Sequence, residues 1–334
     1  MLLRTLKVFF TSIIFASPAI AEVSTIVSGY QYGMTYLPLM VMKEKGLVEK
    51  HAQNKFQMTV KTEWKVFSGP APINDGLLAR SLHFGAVGTS SLVTLWAKTR
   101  EKLGIKAVGS LACVPMFLNT NKPHIRSLDD FTPHDKIALP SIKVSVQAVT
   151  LQMAAAQKWG AASYSRLDPL TVGMAHPEAY VALMSQKAAI SAHFGSVPFQ
   201  TQELAEGSGK IHTVLSSYQI LGGPASFTLV VASTPFRTEN PKVYEAYVAA
   251  FEEATQFIRS DTKAAAALYL KVTGSKESPE SIESLLKDPD YIFDLTPRQI
   301  KKYADFMFEV GTVKAKANQW QDLVHPNLLS LQGS

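Results

Sequence analysis

The chain has 334 residues, 46% of them hydrophobic and 18% charged, with a formal charge of +6, enough length for about two domains with sizeable cores. The cations are scattered rather than gathered into blocks with interleaved aromatics, which excludes the footprint of a nucleic-acid groove, and 10% aromatics with no low-complexity tract exclude disordered, collagen-like and coiled-coil classes. A single cysteine, Cys113, excludes an intramolecular disulfide and any CxxC zinc or redox motif.

At the start of the chain, Arg4 and Lys7 precede an apolar run over 8–15, and Ala19-Ile20-Ala21 ends the segment with small residues. This is the pattern of a secretory signal peptide over residues 1–21, cleaved between Ala21 and Glu22. A membrane anchor needs about 20 apolar residues, and Ser12, Ser17 and Pro18 interrupt this run. No cysteine follows it to take a lipid. The expected mature protein is free in a periplasm, where one buried thiol can stay inert.

Residues 23–29 are a β-branched run, a Gly/Thr loop follows, and 37–45 places apolar residues at helical spacing up to Gly46, which predicts strand, loop, helix. The beat returns as a strand over 57–66, the loop Phe67-Ser68-Gly69-Pro70 and a helix over 73–80 with Pro72 in its first turn. A third strand over 84–87, the loop Gly88-Thr89-Ser90-Ser91 and a helix over 92–99 precede a strand over 105–111.

The rhythm breaks around 113–121, and a second series begins after Ser127-Leu128-Asp129-Asp130. It comprises a strand over 136–139, a helix over 146–159 stopped by Gly160, strands over 170–172, 189–192 and 211–215, and helices over 177–185 and 199–205. After Gly222-Gly223-Pro224 the run 227–233 reads as a buried strand, and helices over 241–260, 263–272, 279–286 and 297–311 form a tail. Strands alternating with helices imply parallel pairing through crossover helices. The predicted fold is α/β with two lobes, each a mostly parallel sheet flanked by helices, and a cleft between them. Residues 22–115 with 220–334 would form a discontinuous first lobe and 116–219 the second, with two crossings as hinges.

The chemistry-bearing motifs of common enzymes are missing: there is no GxSxG elbow, no GxxxxGK[ST] and no GxGxxG. His51, His83, His124, His134, His176, His193, His212 and His325 show no HxxxH or HExxH spacing, so no metal site is signalled. Cys113, among Leu111, Ala112 and Val114, reads as a small buried hydrophobe. No catalytic residue and no cofactor is expected.

The strand-to-helix loops carry the binding candidates, because ligands of open α/β sheets sit beyond the carboxyl ends of strands, against free helix N–H groups. Met34, Thr35, Ser68, Gly88, Thr89, Ser90 and Ser145 would hold an anionic or strongly polar group with neutral donors, although Ser and Thr there also serve as ordinary N-caps. Gly88 permits close backbone approach. Lys143 would place a cation beside a bound acid, and Tyr32, Tyr36, Phe67, His193 and Phe194 would wall the cleft unless they are core.

The segment Tyr36-Leu37-Pro38-Leu39-Met40-Val41-Met42-Lys43-Glu44-Lys45-Gly46-Leu47 resembles a segment typical of periplasmic solute-binding proteins of the nitrate/sulfonate/taurine ABC-transporter group, which share a superfamily with thiamine-pyrimidine-binding proteins. Similar stretches follow in order: Asn74-Asp75-Gly76-Leu77-Leu78, Phe84-Gly85-Ala86-Val87-Gly88, Ser127 to Phe131 before Lys136-Ile137-Ala138-Leu139-Pro140, and Glu239-Asn240-Pro241 before a long helix. The resemblance spans the mature chain. It implies a type II periplasmic binding fold that closes on a small molecule, probes the cleft with the loop before Tyr36, Gly88-Thr89-Ser90 and the helix start at Ser145, and hands the solute to an ABC permease in the inner membrane. A monomer and a small, anionic ligand are expected, with no nucleic acid as partner. Where many members carry an acidic residue before alanine, this chain has Ala188-Ala189. The enzymatic branch of the superfamily uses a cysteine-rich motif, and this chain has Cys113 alone. Two alternatives stay open: binding of a thiamine-pyrimidine precursor, and a periplasmic enzyme on the same scaffold with His193 or Cys113 in its chemistry.

Overall fold

The β-branched run near the start is strand β1, Thr25–Gln31, in the computed structural model, which describes residues 21–185 and 189–334. The expected signal segment up to Ile20 and Ala188 lie outside the described residues. Strands β2 (Lys61–Phe67), β3 (Phe84–Gly88) and β4 (Lys106–Cys113) follow with helices Pro70–Leu78 and Thr89–Thr99 between them. The next five strands are β5 (Phe117–Thr120), β6 (Ile137–Leu139), β7 (Thr171–Gly173), β8 (Ala192–Phe194) and β9 (His212–Ser216). The last is β10, Ser226–Ala232.

These strands make two five-stranded sheets, ordered β2-β1-β3-β10-β4 and β7-β6-β8-β5-β9. β1 pairs in parallel with β2 over its whole length and with β3 on its other side, while β6 pairs in parallel with β7 and β8. As the mostly parallel expectation has it, four of the five strands in each sheet run the same way, and one strand opposes them. β10 runs antiparallel to both β3 and β4, and β5 antiparallel to both β8 and β9. Each enters its sheet from the other lobe rather than through a crossover helix on the same sheet, so nothing forces it into the parallel sense.

Helices cover both faces of the first sheet. Pro70–Leu78 packs so tightly on β3 that a Cβ on Gly85 would lie 2.8 Å from Ile73 and Leu77. On the other face, Tyr247 of helix Pro241–Ser260 stacks on Phe84 at 3.6 Å between ring centroids, and its hydroxyl bonds Ser28 Oγ at 3.0 Å. Several elements escaped the sequence reading, among them helices Ser217–Leu221 and Thr234–Glu239, a helix after Gly46 and strand β5. Gly46 ends helix Leu37–Glu44, but its left-handed conformation (φ 56°) lets helix Leu47–Phe56 begin at once. The second helix lies against Pro241–Ser260, where Lys50 and His51 both reach Glu253 at 2.8 Å. Strand β5 was hidden by Asn119, a poor strand former, whose buried amide donates to Gln200 O and Glu203 Oε2, each at 2.9 Å.

The chain passes between sheets at 114–116 and 217–225, and the two crossings are bonded to each other. Ser217 N donates to Met116 O, and Met116 N donates to Ser217 Oγ, each at 2.9 Å. The lobes touch across the cleft: Met34 N donates to Val197 O at 3.2 Å and Ser90 Oγ to Val144 O at 2.8 Å. Behind it, Thr150 Oγ1 and Tyr303 OH lie 2.7 Å apart. No helix among the described residues is long and apolar enough to cross a membrane.

Candidate functional site

Between the lobes lies a narrow cleft with a free volume of about 20 Å³, little more than a water molecule needs. Its first wall follows the carboxyl ends of the parallel strands of the first sheet: Gln31 and Tyr32 at β1, Ser68 and Pro70 after β2, and Gly88 at the end of β3. The opposite wall is built the same way, from Pro140, Ser145, Val146 and Gln147 after β6, His176 after β7 and Ser196 after β8. Tyr36, Phe227 and Thr228 complete it. This is the crevice that parallel α/β layers leave where their helices begin.

Four helices start at this cleft: Pro70–Leu78, Thr89–Thr99, Val146–Trp159 and His176–Met184. Gly69, Gly88 and Ala175, which open three of them, form no side-chain cap bond; Pro70, Pro72 and Pro177 carry no N–H, so the Thr89–Thr99 helix has the fullest set of free first-turn donors of the three. The lining contains no Asp, Glu, Lys or Arg. Thr228 is 1% exposed, and its hydroxyl finds no hydrogen-bond partner among the described residues. A buried hydroxyl without a partner costs stability unless something else bonds it. Burial raises the Tyr36 hydroxyl, which therefore stays protonated, and burial first and neighbouring His193 second hold His176 well below the ordinary histidine range. The cleft thus offers neutral donors inside a field of aligned helix dipoles, an arrangement that favours a small anion over a cation.

Of the sequence-derived candidates, the structure brings Tyr32, Tyr36, Ser68, Gly88 and Ser145 to the cleft lining. It does not bring the others, for specific reasons. Met34 and Phe194 are fully buried core residues, Thr35 is 1% exposed beneath Tyr36, and Phe67 packs against the core. Thr89 Oγ1 donates to Ser226 O, and Ser90 Oγ joins the lobes through Val144 O. Lys143 is exposed in a left-handed turn (φ 62°) outside the lining. His193, 0% exposed, sits one layer behind His176. Ser145 plays both parts, since its hydroxyl also caps helix Val146–Trp159 through Ala148 N.

The sequence reading missed Gln31, Gln147, His176, Ser196 and Thr228. Thr228 sits within an apolar strand, and only its pairing with Gly88 puts it at the cleft. His176 had a signal: a histidine before proline at a helix start that follows a strand.

No protein-family model and no curated sequence matches the chain. Solved structures do. The alkanesulfonate-binding protein SsuA from Xanthomonas axonopodis pv. citri, bound to MOPS, superposes with a TM-score of 0.68 at 16% identity, covering 88% of this chain and 96% of that one. The periplasmic aliphatic sulphonate binding protein SsuA from Escherichia coli gives 0.65 at 18% identity, covering 92% and 99%. The periplasmic nitrate-binding protein NrtA from Synechocystis PCC 6803 gives 0.65 at 15% identity, covering 90% and 85%. The two-lobed α/β architecture of this chain is therefore that of the periplasmic binding proteins, the fold that its resemblance to the nitrate/sulfonate/taurine group implies.

Proposed function

We propose that the protein is the solute-binding component of an ABC importer, which captures a small anion by closure of two lobes and delivers it to a membrane permease. Residues 22–115 with 220–334 form one lobe and 116–219 the other, and the mature chain acts as a periplasmic monomer. The observation that carries the reading is the cleft itself: helix starts from both sheets converge on a lining of neutral donors without a formal charge. Such a site pays for an anion's desolvation with fixed dipoles and hydrogen bonds. Binding without turnover is the expected activity. Cys113, the nucleophile of the enzymatic alternative, is 0% exposed, and burial pushes its thiol up, away from the reactive thiolate.

Thermal-shift measurements on the mature chain with nitrate, taurine, ethanesulfonate, aromatic carboxylates and pyrimidines test this reading. A ligand present at 100 times its Kd stabilises by about 2.7 kcal/mol, so a clear rise in Tm with an anion is expected. A rise with pyrimidines alone would move the protein to the thiamine-precursor reading, and no rise with any of these would overturn the anion-transport reading.

A further inference from the structure

Behind the cleft's second wall lies a buried polar chain that none of the preceding chemistry uses. His176 Nδ1 is 2.8 Å from His193 Nε2, and His193 Nδ1 is 2.5 Å from Glu203 Oε1. Asn119 Nδ2 donates to Glu203 Oε2 at 2.9 Å. His193, Glu203 and Asn119 are 0% exposed. At the cleft end, His176 Nε2 meets Gln147 Nε2 at 3.2 Å, nitrogen against nitrogen.

The donor inventory restricts how protons sit along this chain. Glu203 Oε2 accepts from Asn119, and as a carboxylate its Oε1 accepts from His193 Nδ1. A carboxylate fully removed from water needs a counter-charge, and His193 is the group in contact that can supply one. With both His193 nitrogens protonated, Nε2–H donates to His176 Nδ1, and the proton of neutral His176 must then sit on Nε2, facing the cleft. Two donors, His176 Nε2–H and the Gln147 amide, then stand side by side at the lining.

We propose that His176 Nε2–H and the Gln147 side-chain amide form a two-donor clamp for one oxyanion group, with His193 and Glu203 as positioning residues that hold His176 in the donating form. The inference rests on the anion-binding reading and names the grip on the ligand's acid group. Until an oxyanion arrives, the amide turns its oxygen to His176; an oxyanion accepts from both groups at once. The nearby titratable groups on the packed elements are Glu178 and Tyr180 on the His176 helix and Glu206 on the Glu203 helix. Glu178 and Glu206 are exposed, and Tyr180 OH is bonded to Glu206. Glu277 reaches Gln202 from the tail. Among the described residues none of these bonds the two histidines, so the clamp's orientation rests on the His193–Glu203 contact.

Long-range proton–nitrogen NMR on histidine-labelled protein, with assignment by the His176→Gln variant, reads this without any ligand. The expected spectrum has one doubly protonated buried ring, His193, and one neutral ring protonated on Nε2, His176. In Glu203→Gln, which preserves shape and one of the two acceptor oxygens but removes the charge, the doubly protonated signal should vanish. If wild-type His176 is protonated on Nδ1, the inference is overturned whatever the anions do. Titration with ethanesulfonate and nitrate should then shift the His176 Nε2 signal; an anion that raises Tm and leaves that signal unmoved also overturns the clamp. If the ring states are as expected and no anion binds, the transport reading has failed and the clamp falls with it, a result distinguishable from a wrong proton arrangement.

Discussion

At the scale of single residues, burial decides what each titratable group can do. His325 is 1% exposed, and its Nε2–H donates to Ala232 O at 3.0 Å. Burial lowers its pKa from 6.5 to about 4. The folded form therefore stays unprotonated through a range in which the unfolded chain takes up a proton, and stability is lost as pH falls below about 6.5. By linkage the loss reaches about 3 kcal/mol near pH 4. Urea midpoints from neutral pH down to about pH 4 check this: His325→Gln should show a shallower decline than the natural chain, and equal slopes would place the acid sensitivity elsewhere. His176, depressed in the same direction, adds to the decline in both proteins. The residue scale is also where the sequence was least legible. Nothing in a run of letters distinguishes Ser90, which ties the lobes together through Val144, from Ser68, which lines the cleft.

At the scale of elements, the fit between helices and sheet determines both stability and closure. Phe84, the first residue of β3, is fully buried beneath helix Pro241–Ser260, face to face with Tyr247. Phe84→Ala should cost about 3–5 kcal/mol of unfolding free energy, visible as a lower urea midpoint. Gly88 has a different role. A Cβ there would lie 2.9 Å from Val146 Cβ on the opposite wall, so Gly88→Ala should oppose closure rather than folding. Overpacking of this kind costs about 1–3 kcal/mol, which predicts anion binding weaker by about tenfold or more while Tm of the ligand-free protein changes little. Equal losses of Tm and affinity would instead mark Gly88 as a folding residue. Element positions were largely legible: helices Val146–Trp159 and Pro241–Ser260 span the residues that their apolar periodicity and stop signals predict. Helix Leu47–Phe56 was not, because Gly46 ends one helix and starts the next.

For the whole molecule, the crossings at 114–116 and 217–225 lie side by side, and the lobes are joined by Met34 with Val197 and Ser90 with Val144 across the cleft and by Thr150 with Tyr303 and Gln202 with Glu277 outside it. Each such hydrogen bond is worth about 1 kcal/mol net. The proposed closure needs a ligand whose preference for the closed form exceeds the cost of moving these contacts. Small-angle scattering should accordingly show a smaller radius of gyration when a binding anion is added; an unchanged radius with confirmed binding would mean that the lobes are already closed in solution.

The sequence by itself determined the alternation of strands and helices and the ends of the long helices, because each depends on periodicity or spacing within a few turns of chain. It also placed polar loops at the ends of strands, where a ligand would meet them. Only the tertiary structure decided that β5 and β10 run antiparallel, that Thr228 faces Gly88 at the cleft, and that His176, His193 and Glu203 form one chain. These outcomes depend on which distant segments pair and on which side chains lose their water, and neither is encoded in the local pattern of residues.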